Sequence, residues 1–411
     1  MRIFLSFTPL LLSVVLLQLS SGGAAPLDAV SGLTLGFTKS QVGLLGSAHF
    51  IGFFVGCWWA PRLMGAVGHA RTFAGFAALG AIGLLAHMIW IDPYAWAVMR
   101  MATGLCIAGS YTVIESWINA RVTNETRGRL TGGYRIVDLG GSLSAQLLIA
   151  VLEPAHYISY NILAIACCAA ILPLVLTPTQ EPHTPDAPRL RPALAWGRSP
   201  LAVAAVVTSG ITTAAFRMVG PIYGNEVGLE THQLAWFLAA FVLGGAFAQL
   251  PTGWLADRYD RRWVLIWLSV AAIASCGITV LAAGYGIAGV FLAAGLFGLT
   301  TFPIFSVAAA HANDFASTEE RVELSAALMF YYAVGAIASP LLASNLIESF
   351  GPPALFAMVA FGHLVLVVFS MARMRHRPTS DERTPYTYTP RTSFSMGRLF
   401  GKLRDKSGNN G

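Results

Sequence analysis

The feature that most constrains this chain is a series of apolar runs, each about twenty residues long, joined by short polar connections. At ~1.5 Å of rise per residue, twenty helical residues cross the ~30 Å hydrocarbon layer of a bilayer. The runs lack the strict alternation of polar and apolar residues that a membrane β-barrel requires. Only 11% of the residues are charged, whereas soluble domains carry about 25%. We therefore predict an all-α membrane protein.

The apolar runs fall into two sets of six, which predicts twelve transmembrane helices in two pseudo-symmetric six-helix bundles. The first set covers residues 4–30, 40–61, 72–91, 94–118, 130–152 and 157–177. The second set covers residues 199–223, 232–254, 263–283, 286–310, 323–346 and 353–372. Residues 178–198 contain five Pro and are predicted to form a cytoplasmic linker, because Pro interrupts helices. The predicted domains are an N-terminal bundle (1–177), the linker (178–198), a C-terminal bundle (199–372) and a basic tail (373–411).

The first run has a second interpretation. Gly23, Ala24 and Ala25 resemble the small-residue cleavage site of a signal peptide. Removal of this run would leave eleven helices, whereas two matching bundles need twelve. We therefore expect the run to be the first membrane helix.

The distribution of charge predicts the orientation in the membrane. The connections on one side, together with the tail, carry almost all of the Arg and Lys residues, while the other side collects only Lys39. Since basic residues accumulate in cytoplasmic loops, both termini are predicted to be cytoplasmic. The tail supplies the whole formal charge of +6, so the basic balance indicates no nucleic-acid partner. We expect this tail to be disordered, with contact to anionic lipid as a second interpretation.

The most specific local pattern is the connection Gly253-Trp254-Leu255-Ala256-Asp257-Arg258-Tyr259-Asp260-Arg261-Arg262. It is too short for a domain, so it must turn two antiparallel helices at the water boundary. Gly253 is expected to let two helices approach closely. The arginines expected to hold this loop on the cytoplasmic side are Arg258, Arg261 and Arg262.

This connection resembles the signature loop of the major facilitator superfamily of secondary transporters, in which Gly, Leu, Asp, Arg and a final basic pair recur at this spacing. Asp260 stands where the family usually has Gly, so the loop should be stiffer or carry an extra salt bridge. Two weaker motifs agree: Arg100 to Gly109 resembles the family's fourth-helix motif, and Gly335 to Pro340 resembles its Gly-Pro kink motif. The resemblance implies two six-helix halves related by an axis along the membrane normal.

Charged residues inside the runs are candidates for the solute site, because a charge in lipid is unfavourable unless it is paired or hydrated. Arg100 and Arg217 are predicted at similar depths in opposite halves, where they would clamp an anionic group of the solute. Alternatively, each pairs locally near the outer end. Phe305 and Tyr331 are aromatic candidates for the same site, although helix packing also explains their positions.

Two acids near the cytoplasmic side have competing interpretations. Glu115 and Arg135 are expected to form a structural pair between neighbouring helices. Asp138 lies one turn deeper and either joins that pair or takes up a coupling proton, since burial favours the protonated form of a carboxylate. Glu115 is the second candidate for proton coupling.

The predicted function is a secondary active transporter that moves a small organic solute by alternating access, with H⁺ as the expected coupling ion. No motif for ATP, a metal or another cofactor occurs in the sequence, and no enzymatic activity is expected. The alternative is a membrane sensor or scaffold that keeps the fold without transporting. We expect a monomer in the plasma membrane of a bacterium.

Asp257 carries the most specific mechanistic expectation. By the pseudo-two-fold relation, the end of the eighth helix should approach the start of the fifth helix near Arg129. Free backbone amides and the helix dipole at that start would bind the Asp257 carboxylate. This contact is possible only while the cytoplasmic side is closed, so it would stabilise the outward-open state.

Overall fold

The computed structural model describes residues 2–121, 127–176, 189–317, 319–374, 384, 386–389 and 391–392. The helices of the first half are α1 (Arg2–Thr34), α2 (Lys39–Val67), α3 (His69–Ala86), α4 (Pro93–Arg121), α5 (Arg127–Leu148), α6 (Tyr157–Ala169) and α7 (Ile171–Val175). A short helix, α8 (Pro192–Arg198), precedes the second half. The helices of the second half are α9 (Pro200–Glu226), α10 (Thr231–Arg258), α11 (Arg261–Ala282), α12 (Ile287–Thr301), α13 (Ile304–Asn313), α14 (Arg321–Phe350) and α15 (Ala354–Met374).

Most of these helices have the length and composition of membrane spans. Within the described residues, eleven spans are long and apolar enough to cross a bilayer. One of them combines α6 with α7, and another combines α12 with α13 across a break at Phe302 and Pro303. The more polar α5, which contains Arg135 and Asp138, brings the crossing helices of the described chain to twelve. The predicted all-α membrane fold is confirmed.

The helix bounds differ from the prediction mainly at the ends. α1 continues to Thr34 and α2 to Val67, beyond the predicted ends at residues 30 and 61. Within the predicted linker, α8 is helical because Pro192 lies in its first turn, where a backbone N–H has no intrahelical partner to lose. Residues 177–188 lie outside the described part of the chain.

The two halves pack as related bundles. α2 packs against α4, and its counterpart α10 packs against α12. Between the halves, α2 contacts α14 and α5 contacts α10. The pseudo-two-fold relation maps the contact of α2 with α14 onto the contact of α10 with α5, because α2 corresponds to α10 and α5 to α14. The cavity described below lies between the halves, among these helices.

The halves are joined at one end of the bundle. We call the two ends the Lys39 end and the Arg261 end, after the residues that begin α2 and α11. Lys39 pairs with Glu226 of α9 at 2.9 Å. The backbone N–H of Ser40 donates to the Glu348 carboxylate of α14 at 3.0 Å. The Lys39 end is therefore closed by contacts between the halves.

Two glycines of α2 allow this close approach. A Cβ built on Gly43 would lie 2.7 Å from the Pro340 carbonyl oxygen of α14, and closer still to the Ser344 side chain. A Cβ built on Gly46 would lie 2.8 Å from the Met218 side chain of α9. Small residues at a helix interface let backbones pack tightly in a membrane. The glycines thus permit the contacts that close the Lys39 end.

The described part of the tail lies inside the protein. We call Thr384, residues 386–389 and residues 391–392 the C-terminal segment. Tyr388 is 6% exposed, and the backbone and side chains of the segment contact both halves. The sequence predicted a disordered tail, whereas the polar groups of these residues have partners among the helices. The other residues beyond 374 lie outside the described chain.

A substitution at Gly43 tests how the Lys39 end closes. Gly43→Ala places a methyl group against Ser344 and Pro340, so we expect α2 and α14 to separate. The distance between spin labels at positions 89 and 285, which are exposed on opposite halves at this end, should lengthen. Gly75→Ala is the matched control, since nothing lies within 4 Å of its built Cβ. An unchanged distance in Gly43→Ala would contradict this explanation of the closure.

Candidate functional site

A cavity of about 110 Å³ lies between the halves, beside the C-terminal segment. Residues of both bundles line it, and several of them have polar side chains. The first half contributes Gln18, His49, Tyr111 and Asp138, the second half contributes Thr213, Arg217, Phe302 and Tyr332, and the segment contributes Tyr388, Arg391 and Thr392. Ligand sites of membrane transporters lie at such an interface between repeats.

Asp138 of α5 is buried in this cavity wall and is held by two donors from the first half. The Tyr111 hydroxyl of α4 donates to the Asp138 carboxylate at 2.7 Å. The Gln18 amide of α1 donates to the same oxygen at 2.7 Å. Asp138 is 7% exposed, and both of these donors are neutral groups of the first half.

The two arginines of the predicted clamp have different surroundings. Arg217 of α9 lines the cavity and its side chain is exposed there. Arg100 of α4 is only 1% exposed, and its Nε lies 3.1 Å from the Asp28 carboxylate of α1. The alternative of local pairing therefore describes Arg100 in this structure. Of the two, Arg217 is the one in the lining of this cavity, while Arg100 lies behind it against Met218.

Asp28 is the buried charged residue that the sequence interpretation missed. It lies in the first apolar run, at 2% exposure, and accepts a hydrogen bond from the Tyr160 hydroxyl at 2.9 Å. His87 lies 3.7 Å from the same carboxylate and stacks on the Tyr160 ring. An acid inside an apolar run was the available signal, because a charge at that position requires a buried partner.

Glu115 and Arg135 both contact the C-terminal segment. The Thr392 hydroxyl donates a short hydrogen bond to Glu115, and the Tyr134 hydroxyl donates to the same oxygen at 3.4 Å. The Arg135 guanidinium donates to the Tyr388 carbonyl at 2.7 Å and lies over the Tyr388 ring. The predicted structural pair of Glu115 with Arg135 stays a prediction, since other partners are seen here.

The two aromatic candidates, Phe305 and Tyr331, also have different surroundings. Phe305 of α13 is buried against Tyr332, with ring centroids 5.6 Å apart, and faces the guanidinium of Arg391. Tyr331 packs against Phe330 instead, and its neighbour Tyr332 is the residue that lines the cavity. Successive residues of a helix point in directions ~100° apart, so the sequence alone did not decide between the two tyrosines.

The loop between α10 and α11 is held by ion pairs. Asp260 accepts from the Arg262 backbone N–H at 3.0 Å and pairs with the Arg262 side chain at 2.7 Å. The predicted extra salt bridge is thereby confirmed. Burial acts to raise the pKa of Asp260, but the hydrogen bonds from Arg262 outweigh it and leave that pKa below its usual value. Arg258 lies over the Trp254 ring, with its Cζ 5.5 Å from the centroid.

Arg261 is the central residue of the Arg261 end. Its guanidinium is nearly fully buried and pairs with Asp314, the residue that follows α13, at 2.6 Å. It also donates to Asp257 at 3.3 Å and to the Thr384 hydroxyl of the C-terminal segment at 3.1 Å. Arg261 therefore joins the loop, the second half and the segment.

Gly253 and Asp257 contact the segment in this structure. The backbone N–H of Tyr386 donates to the Asp257 carboxylate at 2.6 Å. A Cβ built on Gly253 would lie 2.8 Å from the Tyr386 ring, so the glycine makes room for that ring. The expected partner of Gly253 was a helix, and the observed one is a tyrosine. The contact of Asp257 with the start of α5 was expected only in the opposite state, and it stays a prediction.

These features define a class of protein: a polytopic helical membrane protein whose two related bundles enclose a polar central cavity. The sequence profile of the Major Facilitator Superfamily matches residues 10–231 and 201–404. Because these matches cover most of the chain, the chain belongs to that superfamily. The resemblance stated from the loop motif is confirmed.

Known proteins agree with this assignment. An uncharacterized MFS-type transporter of Yersinia enterocolitica is 27% identical over 349 residues, which are 84% of this chain and 88% of that relative. The nucleoside transporter NupG has a similar fold, with a TM-score of 0.71 at 15% identity over 90% of this chain and 98% of NupG. A D-xylose-proton symporter gives a TM-score of 0.69 at 13% identity, over 93% of this chain and 100% of that structure.

The buried pair of Asp28 and Arg100 generates a stability prediction. Asp28→Asn should lower the free energy of unfolding by about 3–5 kcal/mol, because it leaves Arg100 charged and buried without its partner. Denaturant unfolding of the purified protein in detergent measures the change. Glu153→Gln, an exposed acid of the same half, should change the value by no more than about 0.5 kcal/mol. Equal free energies of unfolding for the two variants would show that the pair of Asp28 with Arg100 does not stabilise the fold.

Proposed function

We propose that this chain is a secondary active transporter that moves a small organic solute across the membrane by alternating access. The observation that carries the proposal is the cavity between two related bundles, with the Lys39 end closed by the pair of Lys39 with Glu226 and by the approach of α14 to Gly43. Separation of those contacts would open the cavity at the Lys39 end. Closure of the Arg261 end would complete the change from one access state to the other, as one bundle rocks against the other.

We further propose that transport is coupled to protons and that Asp138 carries the coupling proton. Its carboxylate lines the cavity, so a proton can reach it while the cavity is open to water. Tyr111 and Gln18 hold the carboxylate by donation, and neither is itself an ionic partner. Protonation would weaken both bonds, and this change links the proton to the packing of α1, α4 and α5. Glu115 remains the second candidate, since it too is buried beside the segment.

The proposed location is the inner membrane of a bacterium, where the chain acts as a monomer with both termini in the cytoplasm. The charge distribution of the connections supports this orientation, because the Arg261 end carries the basic residues. In this orientation the structure corresponds to a state closed toward the outside. A non-transporting sensor or scaffold is the alternative, and the cavity with polar lining residues between the halves favours transport over it.

Substitution of Asp138 tests the proton coupling. A solute is first identified by its ability to raise the unfolding temperature of the wild-type protein. Asp138→Asn should still bind that solute in proteoliposomes, yet lose the accumulation that an imposed pH gradient drives. One pH unit sustains about tenfold accumulation for one coupled proton, and the variant should only equilibrate the solute. Glu153→Gln serves as control. Gradient-driven accumulation by Asp138→Asn would eliminate Asp138 as the coupling site.

Labelling of introduced cysteines tests the orientation. In a background without native Cys, Tyr285→Cys at the Lys39 end and Tyr259→Cys at the Arg261 end are both on exposed positions. A membrane-impermeant thiol reagent added to intact cells should label position 285 and spare position 259. After the cells are permeabilised, both positions should react. The reverse pattern in intact cells would invert the proposed orientation.

A further inference from the structure

Aromatic rings and hydroxyl groups surround the guanidinium of Arg391, a residue of the C-terminal segment, in the wall of the central cavity. We call these surroundings the seat of Arg391. Its guanidinium carbon lies 4.7 Å from the centroid of Phe302, 5.6 Å from Tyr332 and 6.0 Å from Phe305. One guanidinium nitrogen donates to the Thr213 hydroxyl at 2.8 Å and to the Ser209 hydroxyl at 3.3 Å. All five of these partners belong to the second half.

The chemistry of this seat suits a compact organic cation. The faces of aromatic rings attract a cation within about 6 Å of the centroid, and the attraction grows when water is excluded. The two hydroxyls supply acceptors for N–H donors without adding charge. Phe302 lies at the junction of α12 and α13, and its ring is the nearest of the three to the Arg391 guanidinium. Asp138 and Arg391 line the same cavity.

The surrounding charges do not select against a cation. Asp138 and Glu115 contribute two acids to the space around the segment, and Arg217 and Arg135 contribute two bases. While both acids are ionised these formal charges balance, so in that state the ring faces and hydroxyls near Arg391 decide which chemical group is preferred at that place. A neutral group of the same shape would make the hydroxyl contacts but not the cation–π contacts.

The segment is anchored along its length, from the Arg261 end into the cavity. At the entrance, Thr384 donates from its backbone N–H to Asp314 at 2.8 Å, and the Tyr386 hydroxyl donates to Gln249 at 3.0 Å. Further in, the Thr389 backbone N–H donates to the Ser306 hydroxyl at 3.1 Å. Thr392 then reaches Glu115 of the first half.

The segment leaves little room for a solute. The cavity beside it has about 110 Å³, whereas sites for small organic molecules have about 300–1,000 Å³. A solute of ordinary size therefore needs the segment to move out. Since the segment is tethered to α15, its effective concentration at the cavity is on the order of millimolar, so even weak contacts keep it in place.

We propose that the seat around Arg391 is a subsite for a cationic group of the solute, and that Arg391 occupies it until such a solute displaces the C-terminal segment. This inference rests on the proposed function and names the solute class: organic molecules with a guanidinium or ammonium group. The C-terminal segment then competes with the solute and occupies the cavity while no solute is bound.

Disulfide trapping in the full chain tests where the segment lies. In a background without native Cys, Ser306→Cys with Thr389→Cys should cross-link under mild oxidation, because the Thr389 nitrogen and the Ser306 hydroxyl are 3.1 Å apart. A protease site placed within residues 375–383 lets a non-reducing gel show whether the tail stays attached. Ser40→Cys with Thr389→Cys is the control, since Ser40 lies at the opposite end. Equal cross-linking of both pairs would overturn the placement.

Binding of two isosteric probes tests the cationic subsite. Butylguanidinium should raise the unfolding temperature of full-length Arg391→Ala, and uncharged butylurea should leave it unchanged. If the segment fills the subsite nine-tenths of the time, the wild-type protein needs about tenfold more butylguanidinium for the same shift. Arg398→Ala, a second tail arginine, is the control and should behave as wild type. Thr392→Val removes the hydroxyl that binds Glu115. Like Arg391→Ala, it should lower the concentration of butylguanidinium that is needed for a given shift.

The outcomes separate this inference from the proposed function. Equal shifts with butylurea and butylguanidinium, or equal responses of Arg391→Ala and wild type, would overturn the cationic subsite. Stabilisation by butyrate in place of butylguanidinium would overturn it as well, in favour of an anionic group. None of these measurements requires transport. Failure of gradient-driven accumulation with a bound cation would instead contradict the proposed function.

Discussion

The close contact of α2 with α14 and α9 at the Lys39 end is the interaction on which the rest of this structure depends. Gly43 and Gly46 let the backbones meet, and the pair of Lys39 with Glu226 adds an ionic contact at the surface. Because two rigid bundles joined at one end diverge toward the other, this contact leaves space at the Arg261 end. The C-terminal segment fills that space.

Much of the fold follows from the sequence, because a membrane imposes simple rules. Runs of about twenty apolar residues had to be helices, and the prediction placed each crossing helix within a few residues. Asp260 illustrates a successful local prediction: its departure from the family pattern indicated an extra salt bridge, and Arg262 provides it. These features depend on neighbours in sequence, so the sequence was sufficient.

The features that the sequence did not predict depend on residues far apart in the chain. Arg100 was a candidate for the solute site, with local pairing as the alternative, but its partner Asp28 lies 72 positions earlier and was overlooked within an apolar run. The tail was expected to be disordered from its composition, which describes its own chemistry and not the surfaces available to it. Its arginine and threonines find acceptors only after two bundles have assembled around a cavity.

In our proposal, residues of the loop motif have different partners in the two states of the transporter. In the present state, Asp257 accepts from the Tyr386 backbone, Gly253 makes room for the Tyr386 ring, and Arg261 binds Thr384. In the opposite state, the start of α5 is the expected partner of Asp257, and the segment would have to leave first. Release of the segment and closure of the Arg261 end are therefore linked in our proposal.

A single-particle structure of the full-length protein in a lipid nanodisc, without added solute, is the measurement that tests this interpretation most directly. We expect Lys39 and Glu226 to be in contact and the Arg391 side chain to lie between Phe302 and Thr213. A structure with a closed Lys39 end and a cavity that is open to water at the Arg261 end, with no density for the segment, would contradict the proposed occupancy. An open Lys39 end would contradict the closure from which the whole interpretation starts.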